Sequence, residues 1–191
     1  MISSPEYTHF EIFTTESAPE GSRAAMKRLQ HSVGLIPNLA ATMAGSPALI
    51  QGFVDLREIN ERESALSGQE RELLLLCNAV ANDSIYPQAF HSVMAAKAGL
   101  SPDTIDAVRR EGRLNDSRQD ALVTFGRLVV KNRGRVQQAD VQSFLAAGFQ
   151  RRHVLDVVAC LAQSIMANCA DNIAGVEFDE FLKPKGQSNG V

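Results

Sequence analysis

The run Leu73-Leu74-Leu75-Leu76-Cys77, followed by Val80, leaves a helix almost no polar side to turn toward water. Ser67 and Glu70 ahead of it have the spacing of a capping box, in which hydroxyl and carboxylate each satisfy a free backbone N–H at a helix start. A helix that begins there and is apolar nearly all round belongs inside a globular core, so the rest of the chain must supply elements that wrap it. Those elements read as helices too. Almost every other segment repeats its apolar residues with a period of 3.6 and almost none with a period of 2, which predicts an all-α helical bundle.

The buried helix ends at Asn82 and Asp83, where a second one starts. Ser84 is placed as its N-cap, Pro87 falls in the first turn where its missing N–H costs little, and Gly99 is a C-terminal stop. On this second helix Ser84, Pro87 and His91 stand at i, i+3 and i+7 and share one stripe that starts at the helix's positive end. Glu72 enters the leucine run one residue before the leucines. Upstream, Ser17 and Glu20 have capping-box spacing for a helix running to Gly34, Asn38 opens a short apolar helix, and Ser46-Pro47 starts another carrying Leu49, Ile50, Phe53, Leu56 and Ile59. Downstream, helices are predicted from Pro102 through Val108, from Asn115–Ser117 toward Gly134, from about Gln137 to Ala147 and from about Arg151 to Ile173.

At 191 residues the chain is long enough for one well-buried core and predicts a single domain, residues 1–191, with an N-terminal arm over 1–16 and a tail over 183–191. A net charge of −3, with acidic and basic residues interspersed, gives no clustered basic face and argues against nucleic acid as a partner. The three cysteines cannot all pair within the chain. Cys160 and Cys169 fall roughly 13 Å apart along one predicted helix, beyond disulfide reach, and Cys77 lies in the leucine run as a buried thiol. No apolar run reads as long as a bilayer span, and the first residues lack the basic and apolar regions of a secretory signal, so a cytoplasmic protein is expected. The four histidines show no paired zinc spacing and no glycine-rich phosphate fingerprint occurs, so neither metal nor cofactor is expected.

An echo runs through the chain at an offset of 49 residues. Ala98-Gly99-Leu100 recurs as Ala147-Gly148-Phe149, Ile105 and Val108 match Val154 and Val157, and Leu73 and Leu76 match Leu122 and Phe125. It predicts two related helical units, or else two uses of the same helix-start grammar. Glu72 and His91 have no counterparts, since the echo places Ala121 and Asp140 there.

Gly34-Leu35-Ile36-Pro37-Asn38, Ser46-Pro47, Glu72 on the apolar helix, the joint from Asn82 to His91, and Ala98-Gly99-Leu100-Ser101 together resemble the alkylhydroperoxidase D-like and carboxymuconolactone decarboxylase families, especially the branch labelled peroxidase-related. The resemblance spans roughly Gly34 to Phe181. It implies an all-α bundle that assembles as a homo-oligomer, a trimer or hexamer, acting on a small molecule. Redox members carry Cys-x-x-Cys followed by His, with a Glu on the preceding helix. Carried over, the cysteines land on Ser84 and Pro87, the histidine on His91 and the glutamate on Glu72. Neither Ser84 nor Pro87 can supply the thiolate that a thiol peroxidase needs.

What remains is the proton-transfer half of such a site. A carboxylate that orients an imidazole makes a usable acid or base, suited to chemistry at carbon next to a carbonyl or lactone. Glu72 and His91 are therefore the candidate catalytic residues, and Asn82, Ser84, Tyr86 and Asn168 the candidate substrate-binding ones. Three readings compete: an acid/base enzyme, a thiol peroxidase working through Cys77, Cys160 or Cys169, and a binding protein that kept the fold without the chemistry.

Overall fold

The computed structural model describes residues 10–183, and the outer parts of the predicted arm and tail lie outside them. The chain forms helices α1 (Glu20–Val33), α2 (Asn38–Met43), α3 (Pro47–Glu63), α4 (Gly68–Ala81), α5 (Ile85–Lys97), α6 (Pro102–Arg109), α7 (Ser117–Lys131), α8 (Gln138–Ala146) and α9 (Arg151–Ala174), with a 3₁₀ turn over Glu180–Leu182. There is no strand among the described residues. The expected all-α architecture is the one observed.

α4 is the hub. Its Ser67–Glu70 capping box is complete, the Glu70 N–H donating to Ser67 Oγ at 3.2 Å and the Ser67 N–H to Glu70 Oε2 at 2.8 Å. Leu73, Leu74 and Leu76 have no solvent exposure, and α5, α6, α7 and α9 pack around them. Where α7 crosses α4 the contact is so close that a Cβ built on Gly126 would stand 2.7 Å from Leu74 Cδ2. Beyond α4 the core continues into stacked rings, Phe125 on Phe144 and Phe144 on Phe149, with centroids 4.5 and 4.2 Å apart. A second apolar cluster, built from α1, α2, α3, α5 and the inner side of α9, carries Met26, Ile50 and Val54 at its centre. Two clusters side by side leave a seam between them.

The 49-residue echo has a structural counterpart. α4 and α7 start 49 residues apart, as do α6 and α9, and Gly99 and Gly148 both adopt left-handed backbone, with φ of 90° and 93°. Only glycine takes that conformation without steric cost.

Two local expectations are corrected. Ser17 does not cap α1. Pro19 occupies the N-cap position, and Ser17 Oγ instead accepts the Thr14 N–H at 3.0 Å in a turn before the helix. Spacing alone cannot show which of two adjacent turns a hydroxyl closes. And α9 is, by length and composition, apolar enough to cross a bilayer, with a mean hydropathy of 1.4 over 18 residues. Single polar residues such as Gln163 and Asn168 interrupt the run and hide this in a residue-by-residue reading. One face of α9 packs against α2, α3, α4, α5 and α7.

Arg118 ties the two halves together. Its Nε donates to Glu70 Oε1 at 2.9 Å, its Nη1 to the Gly148 carbonyl at 2.7 Å, and its guanidinium lies 3.8 Å over the Phe149 ring. Burial pushes the Glu70 carboxyl up, but the Ser67 N–H and the Arg118 guanidinium outweigh it and hold the group below its ordinary value. Stability from a carboxyl lowered by folding is present above its unfolded value, about 4.3, and is lost as pH falls through the folded value. Glu70→Gln should therefore lower the melting temperature at neutral pH, and the gap to the native protein should close on the acid side. Melting curves across pH test this, and a gap that persists in acid would assign the effect to something other than charge.

Candidate active site

The seam between the two clusters opens into a cavity of about 580 Å³, walled by α1, α2, α3, α4, α5 and α9. Leu39, Met43, Phe53, Leu75 and Phe90 make much of its wall apolar, and Arg57, Glu61, Arg71, Glu72, His91 and Lys97 bring ionisable side chains to it. The α4 capping box sets the helix phase that turns Glu72 away from the leucine core toward the seam, and the short Asn82–Ser84 joint folds α5 back along α4 so that His91 comes opposite. Asp83 makes that turn with a φ of 51°.

The two side chains meet. His91 Nδ1 lies 2.9 Å from Glu72 Oε2, with the side chains 14% and 23% exposed. Both are sheltered yet reachable from the cavity. An ionised carboxylate can only accept a hydrogen bond, so Nδ1 carries the proton in this pairing and the lone pair of the neutral ring sits on Nε2. Nε2 makes no hydrogen bond to any described residue. The Phe90 ring meets His91 edge to face, with centroids 5.4 Å apart, and limits its rotation. What results is an imidazole held by one nitrogen and free at the other.

The remaining predicted site residues divide. Tyr86 reaches the cavity wall, but its hydroxyl donates to Asp179 Oδ2 rather than into the space. Burial and that carboxylate push the phenol far above its ordinary pKa. Asn82, Ser84 and Asn168 do not line the cavity. Asn82 Nδ2 donates to the Asn78 carbonyl and to Asn78 Oδ1, at 2.7 and 2.8 Å, closing the end of α4. Ser84 has no exposure, and its hydroxyl donates to Asp171 Oδ2 at 2.9 Å. Asp171 also accepts the Tyr86 N–H at 3.1 Å, so a carboxylate from α9 caps α5 in place of the Ser84 side chain. Asn168 Nδ2 donates to the Asn78 carbonyl and Ser164 Oγ, both at 3.3 Å, inside the core. Ser84 thus ties the start of α5 to α9 and Asn168 ties α9 to α4, while Asn82 closes the end of α4.

The structure adds groups that sequence reasoning missed. Arg57 and Arg71 line the cavity, as do Asn60 and Gln163, which hydrogen-bond each other at 3.0 Å. Arg57 is committed to Glu61 at 2.7 Å and to Ser32 Oγ at 2.9 Å. The segment after α9 crosses the cavity's edge as a strap. Asn38 donates its backbone N–H to Asp179 Oδ2 at 3.2 Å and its side-chain amide to the Glu177 carbonyl at 3.1 Å. Phe178 lies against Tyr86, and Phe181 meets Phe90 edge to face and joins the cavity wall. No spacing rule links residues more than 90 positions apart, so nothing in the sequence pointed to Asp179.

The thiols stand away from this space. Cys77 and Cys160 are buried, and burial pushes their pKa values up to about 11 and about 12. That is the opposite of the shift a reactive thiolate needs. Cys169 is exposed on α9 and is not part of the cavity wall. Among the described residues no three His, Cys, Asp or Glu side chains gather as a metal site would require.

Residues 47–114 match the model of the carboxymuconolactone decarboxylase family, and this stretch contains both Glu72 and His91. No curated protein matches the chain in sequence. Among solved structures it is similar to the alkylhydroperoxidase AhpD core of an uncharacterized peroxidase-related protein from Ralstonia eutropha JMP134, with a TM-score of 0.79 and 21% identity over 94% of this chain and 96% of that one. A peroxidase-related protein from Silicibacter sp. TM1040 gives 0.76 and 18% over 95% and 97%. The debrominase Bmp8, as a cysteine-to-alanine variant in complex with 2,3,4-tribromopyrrole, gives 0.77 and 12% over 94% and 96%. At such identities what is shared is the fold.

The strap depends on one hydroxyl that can be removed without changing the ring. In Tyr86→Phe, amide hydrogen exchange over Phe178–Leu182 should accelerate while exchange in α4 stays unchanged. Equal protection in both proteins would show that the aromatic contacts hold the segment without the hydroxyl.

Proposed function

We propose that the chain is a member of the carboxymuconolactone decarboxylase family, whose model residues 47–114 match, and that it is an acid/base enzyme that moves a proton to or from carbon next to a carbonyl or lactone of a small, largely apolar substrate. The observation that carries this reading is the 2.9 Å contact between Glu72 and His91 at the wall of a cavity large enough for such a molecule. Glu72 fixes the tautomer and orientation of the ring. His91 Nε2 takes the proton, and Glu72 stabilises the imidazolium that forms, as a carboxylate does for any positioned histidine base. The proton then returns from Nε2 to the substrate or to a product atom. Partial burial, with the His91 and Glu72 side chains 14% and 23% exposed, strengthens the attraction between carboxylate and imidazolium over its value in open water.

Support for a thiol route is weaker. It would require Cys77 or Cys160 to ionise from inside the core or Cys169 to act from outside the cavity. The bromopyrrole bound by the debrominase is a small ring compound, which fits a reading in which this fold offers its seam to ligands of that size.

Proton transfer can be followed without knowing the full reaction. Small lactones, keto acids and cyclic ketones incubated with the protein in D₂O should exchange protons next to the carbonyl, as read by NMR. His91→Asn should lower that exchange by about 10²- to 10⁴-fold. Glu72→Gln should lower it too and weaken the preference for the Nδ1–H tautomer, as read from imidazole ¹⁵N shifts. Exchange unaffected by His91→Asn would sink the assignment.

A further inference from the structure

We propose that the outer face of α9 pairs antiparallel with α9 of a second copy of this chain. A helix apolar on two opposite faces needs cover on both. The fold covers one: Val157, Cys160, Ser164, Ala167 and Asp171 of α9 face inward and are buried. On the opposite side Leu155, Val158, Ala162, Ile165, Cys169 and Asn172 are all exposed, with Leu155 71% exposed and Ile173, beside Asn172, 64% exposed. Their spacing is 3, 4, 3, 4, 3. That is the a/d pattern of a helix-pairing seam, running about 26 Å along the helix.

The pattern is complementary to itself when reversed. With a at Leu155, Ala162 and Cys169 and d at Val158, Ile165 and Asn172, an antiparallel copy sets Ala162 against Ile165, Val158 against Cys169, and Leu155 against Asn172 with Ile173 beside it. The smallest side chain then faces a bulky one at the centre, which lets the two backbones approach.

Charge favours the same direction. α9 opens on Arg151 and Arg152 and has no basic residue in its last turn, the reverse of what the helix dipole prefers. An antiparallel copy brings Arg151 beside the carbonyl end of the other α9 and its exposed Glu177, while Arg152 is engaged by the Glu63 carbonyl and Asp156 of its own chain. A parallel copy would set arginine against arginine. The contact is isologous and closes on a two-fold axis, so a hexamer can contain it and a simple cyclic trimer cannot.

Sedimentation equilibrium of the full chain and of Ile165→Glu tests the proposal, with circular dichroism confirming that the exposed substitution leaves the fold intact. The mass of the variant should be half that of the native protein. A native monomer, including one that floats with phosphatidylcholine vesicles, or any other mass ratio would overturn it. Mild oxidation of Val158→Cys supplies the direction of pairing. A covalent dimer should form through Cys169 and vanish in Val158→Cys/Cys169→Ser, whereas absence of the cross-link would exclude antiparallel register.

Discussion

A helix with no polar face sets the terms of this molecule. α4 cannot be stable at a surface, because leaving Leu73, Leu74 and Leu76 in water would forfeit roughly 1.5–3 kcal/mol for each side chain. It has to be surrounded, and α5, α6, α7 and α9 are the surround. Surrounding a cylinder with other cylinders leaves clefts between their convex sides. The cleft between the α4-centred cluster and the Met26–Ile50–Val54 cluster is the cavity, and Glu72 enters it because it lies just upstream of the leucines on the side the surround does not close.

The site inherits its rigidity from this arrangement. Glu72 and His91 are borne by helices whose starts are both fixed by hydrogen bonds, α4 by its own capping box and α5 by the Asp171 carboxylate arriving from α9. Neither side chain depends on a loop for its position. The strap is built differently: between Gly175 and Asp179 it lacks regular structure, and it is held by a few polar contacts and two aromatic pairs. A fixed Glu72–His91 pair beside a less regular wall is an arrangement in which the wall can give way to a ligand while the pair keeps its geometry.

Much of this was legible in the amino-acid order, and the part that was not has a common cause. Helix starts, stops and the repeat at 49 residues depend on neighbours within a few positions, so Ser67, Ser46 and Gly99 announced them. The pairing of Glu72 with His91 could be anticipated because only a short joint separates their helices. Ser17 misled because two hydroxyl-closed turns look alike before Pro19 decides between them. Ser84, Asn82 and Asn168 were read as facing a ligand, yet their partners Asp171, Asn78 and Ser164 lie on neighbouring elements or turns, and only packing shows which way they face. Asp179 was invisible for the same reason.

The buried bond from Ser84 to Asp171 bears on which chemistry this position can host. Ser84 stands where the resemblance maps the first cysteine of the redox members, and its hydroxyl gives its hydrogen to a carboxylate that also caps α5. A cysteine placed at that position would have to ionise beside the Asp171 carboxylate at a site with no solvent exposure, and both effects disfavour a thiolate. Placing a thiolate there would then take a second change at Asp171, and that change would uncap α5 and weaken Tyr86 as an anchor of the strap. The contact that fixes the start of α5 thus also closes this position to sulfur chemistry, because no single substitution can supply both a thiolate and the cap.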